Sequence, residues 1–304
     1  MRLTDKINTT NTRAIVLDGG LATTLEHAGC NLNSTLWSSE VLRNQPDEIY
    51  NAHKSFVNAG ADILLTSTYQ ASVATFLDIG LTRDEIASLY TTAVNKINEA
   101  TTTEQVVVGS LGPYGSYLSD GSEYTGNYIL NSKEYERFHQ ERILALIDRG
   151  IQDFVFETVP NFDEIKAIVE KIIPSFPNST FWISVTVNDN GNLSDGTPIE
   201  DVCNYIALHE AQVPVFGVNC SSVSSVNKAL EKGLQELPQT IAVYPNGGAV
   251  YDAEHKVWKD DGDSSAILSN IASWVEKGVK IIGGCCQTTP EDIKSIAQLV
   301  KNVK

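Results

Sequence analysis

Eight times along the chain a short apolar run, rich in strand-forming residues, ends in Gly, Asp, Asn, Cys, Thr or Pro and gives way to a helical pattern. The runs cover residues 14–20, 61–69, 106–113, 153–160, 180–187, 213–220, 240–248 and 279–286. Near-continuous apolar runs fit parallel strands buried on both faces, whereas a strand with one wet face would alternate. Eight strands alternating with helices predict an α/β fold, a single closed (β/α)8 barrel. A doubly wound open sheet is the alternative, but it seldom needs eight such even units. The chain has 304 residues, 42% of them hydrophobic, which is ample for the core. Barrels of this kind use about 250 residues as one domain, so 1–304 is read as one domain.

The segments between the runs carry helix punctuation. Thr82-Arg83-Asp84-Glu85 reads as a capping box before a helix reaching about Ala100. Thr197-Pro198-Ile199-Glu200 reads as a second, with Pro at the first helical position, and Thr289-Pro290-Glu291-Asp292 opens the last helix similarly. Gly60, Gly150 and Gly278 stand where helices should stop before the next strand. Three strand-to-helix connections are long, at 20–46, 114–132 and 249–264. In a barrel these cover the C-terminal face, where the active site lies.

Composition excludes several partner classes. The formal net charge is −16 and no cluster of Lys and Arg stands out, which argues against nucleic acid and anionic membranes. The acidic balance mildly favours cationic substrates, or serves solubility alone. There is no apolar run near the ~20 residues of a membrane span. Residues 1–13 are polar with no apolar core, unlike a secretory signal, so a cytoplasmic location is expected. Oligomeric state is not legible.

Five cysteines, an odd number, argue against a disulfide framework, and the adjacent Cys285 and Cys286 are awkward to bridge. Cys220 ends the sixth run and Cys285 and Cys286 end the eighth, so all three should project onto the catalytic face. Position alone leaves two readings open, a three-thiolate metal site with one free coordination position or three inert core thiols. Both members of the pair reach one metal only if the backbone leaves the strand, a freedom that Gly283-Gly284 would supply. Cys203 falls on the apolar stripe Ile199, Val202, Ile206 and reads as core. Cys30 lies in the first long connection with no partner nearby in sequence. His27, His53, His139, His209 and His255 lie away from the strand ends, and His53, His139 and His209 read as helix-surface residues.

Gly217-Val218-Asn219-Cys220 and Gly283-Gly284-Cys285-Cys286 resemble the two zinc motifs of the homocysteine S-methyltransferase family. Asp18-Gly19-Gly20 with Thr23 and Leu25 resembles its first-strand motif, and Glu157-Thr158-Val159-Pro160-Asn161 its fourth. Gly112-Pro113-Tyr114-Gly115 and Asp120-Gly121-Ser122-Glu123-Tyr124 look like the third-strand loop of members that use S-methylmethionine. The resemblance spans nearly the whole chain. Gln287 departs from it, standing where Arg or Gly is expected.

The resemblance implies one zinc ion on Cys220, Cys285 and Cys286, and transfer of a methyl group from S-methylmethionine to the homocysteine thiol, giving methionine. S-adenosylmethionine is the second donor to consider, betaine and methylfolate weaker ones. Methylfolate would need its nitrogen activated, and no candidate acid stands out; the chain also ends after its eighth helix, with no further domain expected for folate or cobalamin. Asp18 and Glu157 would pair with the substrate ammonium, although in isolation such carboxylates often cap helices. Gly19 and Gly20 would bring backbone N–H groups to the substrate carboxylate. Asn219 would orient a thiolate or touch the donor. Tyr69, Tyr114, Tyr117 and Tyr124, with Glu123 in the same loop, would face a sulfonium, or pack as ordinary lid residues. A zinc-dependent barrel hydrolase and a zinc or thiol sensor are the competing classes; the first usually needs strand-end histidines, which are absent.

Overall fold

The apolar runs become eight parallel strands: β1 (Ile15–Val16), β2 (Ile63–Leu65), β3 (Val106–Leu111), β4 (Asp153–Val159), β5 (Thr180–Val185), β6 (Val215–Asn219), β7 (Thr240–Tyr244) and β8 (Val279–Ile282). The computed structural model describes residues 1–32, 38–248, 251–252, 257–258 and 264–303. Consecutive strands pair from β2 through β8, and β8 pairs back to β1 with Ile15 opposite Ile281. The ring closes between β1 and β2 through the parallel bridge Leu17 to Ile63. There the Asp18 N–H donates to Ile63 O at 3.0 Å and the Asp62 N–H to Val16 O at 2.7 Å. This is the (β/α)8 barrel that the repeat predicts. Each strand stops before its apolar run does, because the last residues leave the ladder to build the rim.

Two apolar layers follow from the alternation of side chains along each strand. Ile15, Ile63, Val108, Val155, Trp182 and Ile281 fill the lumen. Phe154, Phe156, Ile183 and Val243 face outward and pack under the helices. A helix at Leu3–Thr9, which the polar N-terminus did not announce, adds Leu3 and Ile7 to the lumen layer. It is tied to the N-terminal end of β4: Arg2 Nε meets Asp153 Oδ1 at 2.9 Å and the Leu3 N–H donates to Asp153 Oδ2 at 3.1 Å. The helix therefore covers the end of the barrel opposite the site.

The helix signals hold with one exception. Thr82 and Thr289 form capping boxes with Glu85 and Asp292, and the first opens a helix at Arg83–Ala100. Gly60, Gly150 and Gly278 take left-handed φ values of +100°, +89° and +88°. The box expected at Thr197 is absent. Pro198 itself is the N-cap of Ile199–Ala207, with no side-chain cap bond, so proline lies just outside the helix. Two long connections contain structure that the sequence pattern did not show. The first holds helices at Leu21–His27 and Ser38–Asn44, and the second holds Tyr114–Leu118 and a short turn of helix at Ser122–Tyr124. The third lies largely outside the described residues, which include an antiparallel pair, Tyr251–Asp252 with Val257–Trp258. Among the described residues no helix is long and apolar enough to cross a membrane.

Candidate active site and metal centre

The C-terminal rim encloses a cavity of about 130 Å³. Cys220 follows β6 directly, with its backbone at φ +48°. Cys285 and Cys286 were expected to close strand eight, but β8 ends at Ile282 and the pair lies in the turn beyond it. Neither Gly283 nor Gly284 has the positive φ that only glycine adopts freely. Their use is close approach: a Cβ on Gly283 would lie 2.7 Å from Asp18 O, and one on Gly284 would collide with the Thr288 side chain. The strand end thus presses against the Asp18 loop, and both cysteines turn into the cavity. The Sγ atoms of Cys285 and Cys286 lie 2.8 and 3.6 Å from that of Cys220. All three sulfurs fall within 4.8 Å of one another. Tetrahedral coordination with ~2.3 Å metal–sulfur bonds separates sulfurs by about 3.8 Å, so this donor set fits one zinc-like ion. Within the triad, S–H donation from Cys285 and then Cys286 holds the Cys220 thiol well below its usual range. Cys285 and Cys286, which give those hydrogen bonds, are pushed well above it.

Opposite the sulfurs stand two buried carboxylates. Asp18 accepts the Leu65 N–H at 2.9 Å, and Glu157 accepts the Ser110 hydroxyl. Burial, aided by the Glu157 charge and opposed by the Leu65 N–H, pushes Asp18 well above the usual carboxylate range. Burial, with the Cys220 charge, pushes Glu157 up to about 7. Neither caps a helix. Both would be relieved by a cation, and each offers a proton at higher pH than usual. These two carboxylates are groups that the expectation of no candidate acid for a folate nitrogen did not weigh, and no histidine lines the cavity among the described residues. Gly19 and Gly20 line it too. The Gly20 N–H, expected to be free for substrate, instead donates to Thr288 O and Oγ1 at 3.2 and 3.0 Å.

Tyr69, Glu123 and Tyr124 line the cavity as expected, with the Tyr124 hydroxyl 3.8 Å from Cys220 Sγ. Burial, then the neighbouring Glu123 and Cys220 charges, keeps Tyr69 a neutral phenol; burial and Cys220 do the same for Tyr124. Tyr114 and Tyr117 are not there. They pack with Phe138 at ring distances of 5.1 and 5.8 Å, outside the cavity. Asn219 is fully buried below the rim and bonds to Thr158. Sequence reasoning missed Ser67, Gln70 and Tyr244, which line the cavity. Ser67 Oγ and Gln70 Oε1 are buried with no hydrogen-bond partner in the protein. The one available signal for all three was polar residues within the second and seventh apolar runs, or, for Gln70, directly after the second.

Two of the histidines were misplaced by the helical pattern. His53 is fully buried on the stripe Ile49, Ala52, Phe56. His139 is fully buried beneath the second long connection. Its Nδ1 accepts from Arg142, so Nε2 carries the proton donated to Glu164 Oε1 at 2.8 Å. Glu164 also accepts the Tyr114 N–H at 2.9 Å and the Tyr128 hydroxyl at 2.5 Å, tying that connection to the barrel. His255 lies outside the described residues. Cys203 is core as read, and Cys30 Sγ meets Gln45 Oε1 at 3.6 Å.

The model of the family described as homocysteine S-methyltransferase matches residues 15–300. The chain belongs to the homocysteine S-methyltransferase family. Its relatives include homocysteine S-methyltransferase YbgG of Bacillus subtilis, 37% identical over 95% of both chains. The homocysteine S-methyltransferase of Escherichia coli is 40% identical over 93% of this chain and 94% of that one. The crystal structure of the homocysteine methyltransferase MmuM from Escherichia coli, in its metallated form, superposes with a TM-score of 0.85 at 34% identity. It covers 98% of this chain and 99% of the other. The family methylates homocysteine, and this homocysteine S-methyltransferase places its three-cysteine cluster in the cavity just described.

Proposed function

We propose that this homocysteine S-methyltransferase moves a methyl group from a sulfonium donor, S-methylmethionine, to homocysteine at a zinc site made by Cys220, Cys285 and Cys286. The observation that carries this reading is the charge of the cavity. It is lined by three thiols and the carboxylates of Asp18, Glu123 and Glu157, and by no Lys, Arg or His among the described residues. Such a cavity attracts an ammonium and a sulfonium and repels a polyanionic donor such as methylfolate.

Zinc, when bound, keeps a thiol ligand deprotonated at neutral pH and so supplies the nucleophile. The chain supplies placement. Asp18 and Glu157 hold the homocysteine ammonium, and their raised pKa values record chiefly the cost of burying a carboxylate there. Gly19 and the unpartnered Ser67 hydroxyl stand where the substrate carboxylate can be met. Tyr69 and Tyr124 present neutral aromatic faces to the sulfonium, with Glu123 beside them. The homocysteine sulfur then attacks the methyl carbon in line. One S–C bond forms as the donor S–C bond breaks, and the electron pair goes to the leaving sulfur, which becomes a neutral thioether. An anion meeting a cation disperses charge, so a dry pocket favours the step and no proton need move. Asn219 belongs to the frame of this site.

The loop residues Tyr114-Gly115 and Glu123-Tyr124, similar to those of S-methylmethionine users, favour that donor over S-adenosylmethionine. The test is a methyl-transfer assay with homocysteine and each donor, with and without a strong chelator. We expect kcat/KM to be highest for S-methylmethionine and turnover to stop on chelation. A preference for the adenosyl donor or betaine, or turnover with methylfolate, overturns the donor assignment. Chelator-insensitive turnover overturns the metal.

A further inference from the structure

Asn219 and Thr158 are joined across the mouth of the barrel although β5 lies between their strands. Asn219 Oδ1 accepts the Thr158 N–H and Asn219 Nδ2 donates to Thr158 Oγ1, both at 2.8 Å. Asn219 Nδ2 also donates to Cys285 Sγ at 4.0 Å, the longest of the three bonds and, to a sulfur acceptor, the weakest, so Thr158 holds most of its bonding. Thr158 needs holding. Its φ of +63° lies in the left-handed region, where a β-branched residue is a genuine outlier.

The consequence is a bulge in β4. Phe156 opposes Ile183 and Val159 opposes Val185, so Glu157 and Thr158 together face Ser184 alone. In β4 Val155 packs in the lumen and Phe156 in the outer layer. Regular alternation would send Glu157 inward, Thr158 outward and Val159 inward. Instead Glu157 and Thr158 both line the cavity and Val159 joins the outer layer. Bulges beside active sites re-aim side chains in this way.

We propose that Asn219 is a positioning residue: by clamping Thr158 in its left-handed conformation it holds the bulge, and so the place on the rim at which the inward-facing Glu157 carboxylate meets the substrate ammonium. The inference rests on the reading of Glu157 as the ammonium partner. Asn219 then acts on amino-acid recognition and leaves the metal and the donor to others, although Cys220 is its chain neighbour.

The experiment compares homocysteine with 4-mercaptobutanoate, the same thiol acid without its ammonium, in the zinc-loaded parent, Asn219→Ala, Glu157→Gln and the double variant. Zinc content and Tm are measured for each. Asn219→Ala should keep its zinc and lose about 10–100-fold in kcat/KM for homocysteine, mainly through KM. Its kcat/KM for 4-mercaptobutanoate should change less than about threefold, the limit for sites that do not interact. In the Glu157→Gln background the added Asn219→Ala should cost less than about threefold, because the place of a lost carboxylate no longer matters. Thr158→Val keeps the N–H bond to Asn219 and loses only the hydroxyl. It should show a smaller loss of the same kind, and it carries the test if Asn219→Ala does not fold. Equal losses for both thiols, loss of zinc, or additive losses in the double variant overturn the clamp. If Glu157→Gln discriminates between the thiols as the parent does, the ammonium reading falls and the clamp's purpose with it. If Glu157→Gln loses discrimination while Asn219→Ala and Thr158→Val keep it, the clamp alone falls.

Discussion

Gln287 takes a φ of +61°, and its N–H donates to Thr23 Oγ1 at 2.9 Å. That conformation explains why glycine suits this position after the paired cysteines, a preference visible in the resemblance but without a cause until the backbone was seen. A non-glycine residue there costs about 1–2 kcal/mol, and glycine gives back about 0.5–1 in entropy. Gln287→Gly should therefore stabilise the protein by up to about 1 kcal/mol, read as a higher Tm with unchanged metal content. A lower Tm would show that the Gln287 side chain earns its place by contacts. The cysteines divide just as sharply. Cys286→Ser should empty the metal site, whereas Cys30→Ser and Cys203→Ser should keep it, checked by elemental analysis of each variant. Cys203, 5% exposed on an apolar helix face, should also lose about 1–3 kcal/mol when replaced by a polar hydroxyl. At this scale the sequence showed which residues reach the rim, because strand ends are legible from where apolar runs stop. It did not show Ser67 or Tyr244, since a polar residue inside an apolar run looks the same whether it faces a ligand or a neighbour.

Elements were legible in proportion to their local signals. Thr82, Thr289 and the glycine stops mark helix ends by chemistry that acts within one turn, and all of them appear in place. The bulge in β4 has no such mark. It depends on Asn219, 61 residues further along, and a two-residue period cannot register one extra residue held by a distant side chain. The connection between β3 and its helix Ser132–Ile147 is held in the same non-local fashion. Asn161 caps Phe162–Ala167 through the N–H groups of Asp163 and Glu164, and its amide donates to Gly126 O and Tyr128 O at 3.1 and 3.2 Å. Asn161→Ala should cost about 1–2 kcal/mol for the cap, plus about 1–3 for the two buried carbonyls left without a donor. Denaturant melts should show that loss, and KM for the methyl donor should rise more than KM for homocysteine, because Glu123 and Tyr124 lie in the released segment. Equal rises in both would place the connection outside donor recognition.

The whole molecule carries a proton debt at His53, which is fully buried and has no hydrogen-bond partner at either ring nitrogen. Burial pushes its pKa down to about 4 from the usual 6.5. Below pH 6.5 the unfolded chain binds a proton that the folded chain refuses until about pH 4. The stability that His53 contributes is thus complete above 6.5 and falls by about 3 kcal/mol across that window. His53→Leu should flatten this part of the stability profile, measured by urea melts at a series of pH values; an unchanged slope would assign the acid sensitivity elsewhere. The barrel itself was legible because its repeat is local eight times over, while the plug at Leu3–Thr9 was not, since only Leu3 and Ile7 carry its apolar face. Closing the ring also needs β1 against β8, with Ile15 opposite Ile281. On a ribosome adding about 5–20 residues each second, β1 waits tens of seconds for the strand it must pair with. Cys220 waits likewise for Cys285 and Cys286. A nascent chain therefore exposes an apolar edge, and lacks two of the three clustered cysteines, until its eighth strand and the turn after it have been made; the ion can load only after the whole ring of strands has been synthesised.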